Sequence, residues 1–180
     1  VAEIFTIGYA GLDLARFVDI LKSNAVKYLI DVRSVPKSQY FTPFNDTNLK
    51  IELPKHGIEY LHFKNEFGAR QDDPAFYTNG VVDFDKFAVS PQFQSGIDKV
   101  AKLCENGAVC LMCAEIDPIN CHRAILVARH LPAVTHIIAK RNGETKTETQ
   151  TELETRLCEM FKTDPATAYQ KQNQKIGFKS

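Results

Sequence analysis

The sequence predicts a single α/β domain built on a mainly parallel sheet of about five strands, flanked by helices. Three observations lead there. Short apolar runs recur along the chain and end in turn residues. Segments with helical spacing separate several of them, which is the pattern of βαβ units. A length of 180 residues suits one core, and a hydrophobic content of 44% fills it without staples.

Ile4-Phe-Thr-Ile7 reads as the first strand, ended by the turn Gly8-Tyr-Ala-Gly11. Leu12, Phe17, Ile20 and Leu21 then recur at helical spacing as far as Ser23-Asn24. Val26-Lys-Tyr-Leu-Ile30 is the second strand, parallel to the first across that helix, and it runs into Asp31-Val-Arg33. In the polar and aromatic loop over 34–45, Pro36 and Pro43 oppose any helix. Asp46 or Thr47 caps a helix through Leu49, Ile51 and Leu53. Ile58-Glu-Tyr-Leu-His-Phe63 alternates as a third strand, and 64–82 reads as a long loop or lid with Gly68, Pro74 and Gly80. Asp83 to Glu105 is mostly helical, with a break near Ser90-Pro91. Ala108-Val-Cys-Leu-Met112 is a buried fourth strand, and Ala124 to Leu131 reads as the apolar helix that follows it. Val134 to Ala139 is the fifth strand, Arg141-Asn-Gly-Glu a turn, and Glu148 to Phe161 a helix. The domain is thus placed at 1–162, with 163–180 as a loosely held polar C-terminal tail rich in Gln and Lys.

Charge and cysteine usage narrow the function classes. The 22 basic and 22 acidic residues cancel, which gives no support for nucleic-acid binding beyond a local groove. No apolar run approaches the roughly 20 residues that span a bilayer, and no signal-peptide pattern opens the sequence. Five cysteines at irregular spacing fit reduced thiols, so a cytoplasmic location is expected. Cys110 and Cys113 form a CxxC, but i and i+3 on a strand point to opposite faces, which argues against a redox pair. Oligomeric state leaves no mark in the sequence.

The chemistry concentrates between the fourth strand and the segment after it. Cys113 and Glu115 stand at the strand's end, and Cys121-His-Arg123 opens the next helix. In open α/β sheets that crevice is where ligands bind. With all strands parallel, the same edge gathers Gly8, Tyr9, Asp31, Arg33 and His62. Arg33, Arg70 and Arg123 are expected to grip an anion, although an Asp31–Arg33 ion pair is the plainer reading of that dipeptide. Cys113 or Cys121 would be a nucleophile if its pKa is lowered, with Glu115 or His122 as proton carrier. Cys113, Glu115, Cys121 and His122 also offer zinc-type ligands. Their spacing matches no finger or ribbon, and two adjacent residues rarely ligate one ion, so no metal is expected. Neither a P-loop nor a GxGxxG follows the first strand, which leaves any cofactor unknown.

Read together, these motifs resemble the family catalogued as domain of unknown function 488. The resemblance rests on Thr6-Ile-Gly-Tyr-Ala-Gly11, Asp31-Val-Arg33 with Pro36 and Ser38, and Gly57-Ile-Glu-Tyr-Leu-His62. It continues through Phe67-Gly-Ala-Arg70, where the family's usual Leu-Gly-Gly-Arg differs, to Cys113-Ala-Glu115, Pro118 and Cys121-His-Arg123. It implies a single Rossmann-like domain and no activity. A looser likeness to rhodanese and cysteine-phosphatase architecture is analogy alone, because the Cys-x5-Arg loop is absent. The residues themselves favour an enzyme acting on a small anionic substrate, a nucleotide or phosphorylated metabolite. The alternative is a non-catalytic ligand sensor or nucleic-acid-associated module using the same crevice.

Overall fold

The protein is described by a computed structural model covering residues 2–180. Its strands are β1 (Ile4–Gly8), β2 (Val26–Asp31), β3 (Glu59–His62), β4 (Tyr77–Thr78), β5 (Val81–Val82), β6 (Ala108–Cys113), β7 (Val134–Ala139) and β8 (Thr145–Thr149). Its helices are α1 (Leu14–Ser23), α2 (Asp46–Glu52), α3 (Lys64–Phe67), α4 (Phe84–Ala88), α5 (Pro91–Cys104), α6 (Gln150–Phe161) and α7 (Pro165–Ile176). The central sheet has six strands in the order β3-β2-β6-β1-β7-β8. All neighbours are parallel except β8, which runs antiparallel along the edge of β7.

The predicted class therefore holds, with one strand more than the five expected. The extra strand, β8, reads Thr-Lys-Thr-Glu-Thr and is mostly exposed. With no buried face to mark it, hydrophobic pattern could not find it. Local chemistry sets other boundaries as expected. The Ser90 side chain accepts from Phe93 N at 3.2 Å and Pro91 sits at the first helical position, which separates α4 from α5. A capping box between Thr149 and Glu152 starts α6.

The sheet is covered on both faces, which explains the near-continuous burial of β1, β2 and β6. Phe17, Leu21, Leu29, Leu49, Leu53, Cys110 and Met112 fill one side. Phe67, Phe87, Phe93, Val109, Leu111, Cys113 and Leu126 fill the other. Cys110 and Cys113 thus lie on opposite sides of β6, as strand alternation predicts. Truncating Phe93, fully buried at 0% exposure, would cost about 3–5 kcal/mol.

Three segments differ from expectation. Residues 64–82 hold α3 and the β4–β5 hairpin rather than an unbroken loop. The apolar helix after β6 is a π-helical turn over Arg123–Val127 followed by a 3-10 turn over Ala128–His130. Burial on all sides reads alike in any helical winding, so composition could not tell these from an α-helix. The polar tail holds α7, capped by Asp164 and burying Ala168, Tyr169 and Gln172. Asn173 pins it to the hairpin, its Nδ2 donating to Val82 O at 2.7 Å and its Oδ1 accepting from Phe84 N at 2.8 Å. Among the described residues no helix is long and apolar enough to cross a membrane.

Candidate functional site

Strands β1, β2, β3 and β6 end on one edge of the sheet, and the chain after β6 is clamped there. Gly8 pairs in register with Cys113. A Cβ on Gly8 would fall 1.7 Å from Glu115 O, so only glycine lets the two backbones cross this closely. Tyr9 N donates to Cys113 O at 3.1 Å and Ala10 N to Ala114 O at 3.0 Å, extending the ladder past the strand ends. A 3-10 turn over Pro118–Asn120, capped by Asp117, then carries the chain back.

The decisive geometry is at Cys121 and His122. Cys121 is extended (φ −132°, ψ 138°), whereas His122 is helical (φ −61°, ψ −22°). Adjacent side chains diverge within a regular strand or helix. This switch between them brings both toward Cys113. Cys113 Sγ, Cys121 Sγ and His122 Nδ1 all lie within 4.8 Å of one another. Cys113 Sγ is 3.9 Å from His122 Nδ1. The far ring nitrogen, His122 Nε2, meets Val32 O at 2.8 Å and donates to it, which fixes the ring and leaves Nδ1 facing the sulfurs.

A cleft of about 310 Å³ opens over this cluster. Tyr9, Arg33, Arg70, Cys113, Glu115 and His122, each singled out from the sequence, line it. Cys121, 2% exposed, lies just behind. The sequence reading missed Ser34, Asn120, Ile176 and Phe178 in the wall. The first two adjoin predicted residues. Ile176 and Phe178 are isolated apolar residues in a polar tail, a signal that could have been used. A larger open groove of about 760 Å³ runs between the β4–β5 hairpin and α7. Among the described residues no Cys, His or Arg lines it, so the thiol, imidazole and guanidinium groups singled out from the sequence border the smaller cleft instead.

The cluster shares protons unequally. Hydrogen bonding to Cys121, together with burial, holds the Cys113 thiol well above the usual thiol pKa. Burial would raise Cys121 too. The hydrogen bond with Cys113 and the positive charges of Arg123 and His122 outweigh it and put Cys121 well below. Burial opposes protonation of His122, but contact with Cys121 raises its pKa overall. Glu115 is pushed up by burial and by Cys121.

Five expected substrate contacts are reassigned. Arg123 is fully buried, with Nε donating to Thr6 Oγ1 (3.1 Å), Nη1 to Glu115 O (2.7 Å) and Nη2 to Ile116 O (3.3 Å). It braces the loop from beneath and does not reach the cleft. Asp31 is likewise buried and grips Arg33, with Nε to Oδ1 at 2.9 Å and Nη2 to Oδ2 at 2.7 Å. Tyr60 OH donates a further 2.6 Å bond to Asp31 Oδ2. Arg33 also donates to Tyr9 OH at 3.1 Å and Phe44 O at 2.7 Å, which leaves little of its fork for a ligand. It borders the cleft as a support for Tyr9, whose ring stacks on Phe44 at 4.6 Å. His62 Nε2 donates to Arg33 O at 2.7 Å, outside the cleft wall. Gly8 acts by its lack of a side chain.

Arg70 alone keeps the expected anion role open to it. Its backbone N donates to Ser34 Oγ at 2.9 Å and its guanidinium lies 4.9 Å from the Phe178 ring centroid. Among the described residues no carboxylate pairs with it.

A family model described as "Domain of unknown function DUF488" matches residues 13–130. No curated protein and no solved structure matches. The matched span contains the whole Cys-His-Glu cluster and Arg70, while β1 and the C-terminal wall of the cleft lie outside it.

Proposed function

From the premise that this chain belongs to the DUF488 family, whose description names no activity, we propose that it is an enzyme acting on a small anionic substrate in the Cys113–His122 cleft. The observation that carries the reading is the convergence of Cys113, Cys121 and His122 donor atoms within 4.8 Å, beside Glu115 and beneath one cleft. Two segments of chain must be folded against each other to produce it. A purely structural cluster has no need of an opening above it or of an unpaired cation at the mouth.

In this reading Arg70 takes the anionic group of a nucleotide or phosphorylated metabolite. Glu115, which lines the cleft beside Cys113 and His122, moves the proton. Cys113, Cys121 and His122 form the reacting centre. The cleft volume of about 310 Å³ suits a metabolite-sized group.

The test is a calorimetric binding screen of nucleoside phosphates and sugar phosphates, followed by turnover assays on whatever binds. Binding should weaken about tenfold or more in Arg70→Ala, the loss of one charge-assisted contact. Glu115→Gln should retain binding and lose turnover. Binding without turnover in the unaltered protein would leave the sensing alternative as the function. No binding by any anion would sink both.

A further inference from the structure

In a regular strand or helix the neighbouring side chains of Cys121 and His122 would diverge, which is what speaks against a shared metal in a spacing that matches no known finger. The extended-to-helical switch between the two residues removes that objection. We propose that Cys113 Sγ, Cys121 Sγ and His122 Nδ1 bind one divalent zinc-type cation, with a fourth coordination position open to the cleft. The proposal rests on the enzymatic reading above and names the reacting centre within it.

Four observations carry it. First, a tetrahedral zinc, with bonds of about 2.3 Å to sulfur and about 2.0 Å to nitrogen, separates its donors by about 3.5–3.8 Å. Cys113 Sγ and His122 Nδ1 stand 3.9 Å apart, so the donors are nearly in place before any ion arrives. Second, His122 Nε2 donates to Val32 O at 2.8 Å, the outer contact that orients metal-bound imidazoles. Third, Cys113 is fixed by the strand ladder, since Tyr9 N holds its carbonyl at 3.1 Å, so the first ligand is rigid. Fourth, among the described residues only three donors converge, and Cys113 and His122 border the cleft with Glu115 in its lining. Three protein ligands with an open position is the arrangement of catalytic rather than structural zinc.

The same donor types, thiolates and an imidazole with a non-ligating glutamate, serve elsewhere to activate water. A cation held by Cys113, Cys121 and His122 would supply acidification of a bound water, and Glu115, which lines the same cleft, would take up the proton. Soft donors and a tetrahedral cage favour zinc over magnesium or calcium. The remaining cysteines are not part of the set. Cys110 faces the other side of the sheet, and Cys104 and Cys158 lie on α5 and α6.

The first experiment is metal analysis of the purified full chain, followed by cobalt(II) titration of the chelator-stripped protein. About one equivalent of zinc is expected, and cobalt should produce a thiolate-to-metal charge-transfer band. Cys121→Ser and His122→Ala should each weaken cobalt binding by at least about 100-fold, more than loss of an outer-shell contact costs. Circular dichroism would confirm that each variant is folded. Cys158→Ser, on α6 away from the cluster, should leave the band unchanged. Absence of the band, or equal affinity in folded Cys121→Ser, would overturn the proposal. Arg70→Ala separates the two readings. Metal binding should survive it while anion binding falls, whereas anion binding to a protein that takes no cobalt would sink the metal site alone.

Discussion

Arg123 offers the sharpest test of how the site is held, because the sequence pointed to a substrate contact and the structure to a buried brace. Arg123→Leu keeps an apolar stem and removes three donors. Thr6 Oγ1 retains His136 Nδ1 at 2.7 Å, so its loss is slight. The carbonyls of Glu115 and Ile116 lose the contacts they make at 2.7 and 3.3 Å. Each orphaned, partly buried acceptor costs about 1–2 kcal/mol, and leucine burial returns part of it. The expected net loss is about 3 kcal/mol, or a Tm lower by about 6–12 °C for a chain of this size. Urea unfolding followed by circular dichroism measures it, with an unchanged slope marking a change in stability alone. Arg123→Lys should not rescue it, since one ammonium cannot span three acceptors in a plane. A loss under about 1 kcal/mol with weakened anion binding would contradict the buried brace and return Arg123 to the substrate.

Three further outcomes follow from the same contacts. Asp31→Leu should cost about 3–5 kcal/mol by leaving Arg33 buried without its counter-charge, and the Asp31→Leu/Arg33→Leu double variant should be less destabilised than Asp31→Leu; urea midpoints decide it. His136 is held neutral, its pKa lowered to about 4 by burial and by the Arg123 charge, despite the Gln150 hydrogen bond that favours protonation. Between pH 6.5 and 4 the unfolded chain therefore binds a proton that the folded one refuses, so this contribution is full above 6.5 and shrinks by about 3 kcal/mol as pH falls to 4. His136→Gln should flatten that slope in urea midpoints taken across the window. Gly8→Ala should destabilise by at least about 1–3 kcal/mol and disturb Glu115, because its Cβ would overlap the Glu115 carbonyl; retention of wild-type Tm would contradict the close crossing.

Residue by residue, what could be read from the chain depended on whether the signal was periodic. The parallel strands announced themselves because both faces of β2 and β6 are buried and leave dense apolar runs. β8 did not, since a solvent-exposed edge constrains nothing but backbone pairing. At the site, Cys113, Glu115 and His122 were legible as an improbable local cluster at a strand's end. Which arginine faced the cleft was not. Asp31 and Arg33 are two apart on an extended chain and so share a side, which favours their pairing with each other. Arg123 turns inward because a π-helical turn, invisible in composition, sets its direction. The Cys121–His122 convergence depends on two backbone angles that no residue type dictates.

The cleft is assembled from two parts of the chain with different standing. Cys113, Glu115, Cys121 and His122 lie within residues 13–130, the span matched by the family model, whereas Tyr9 on one side and Ile176 and Phe178 on the other lie beyond that span. On the proposed enzymatic reading, the reacting groups and part of the selecting wall would then stand on separate stretches of sequence. A chain that keeps the floor and replaces the closing segment would inherit the chemistry and meet a different range of molecules. Swapping residues 163–180 between such chains is therefore a route to new substrates that leaves the reacting groups untouched.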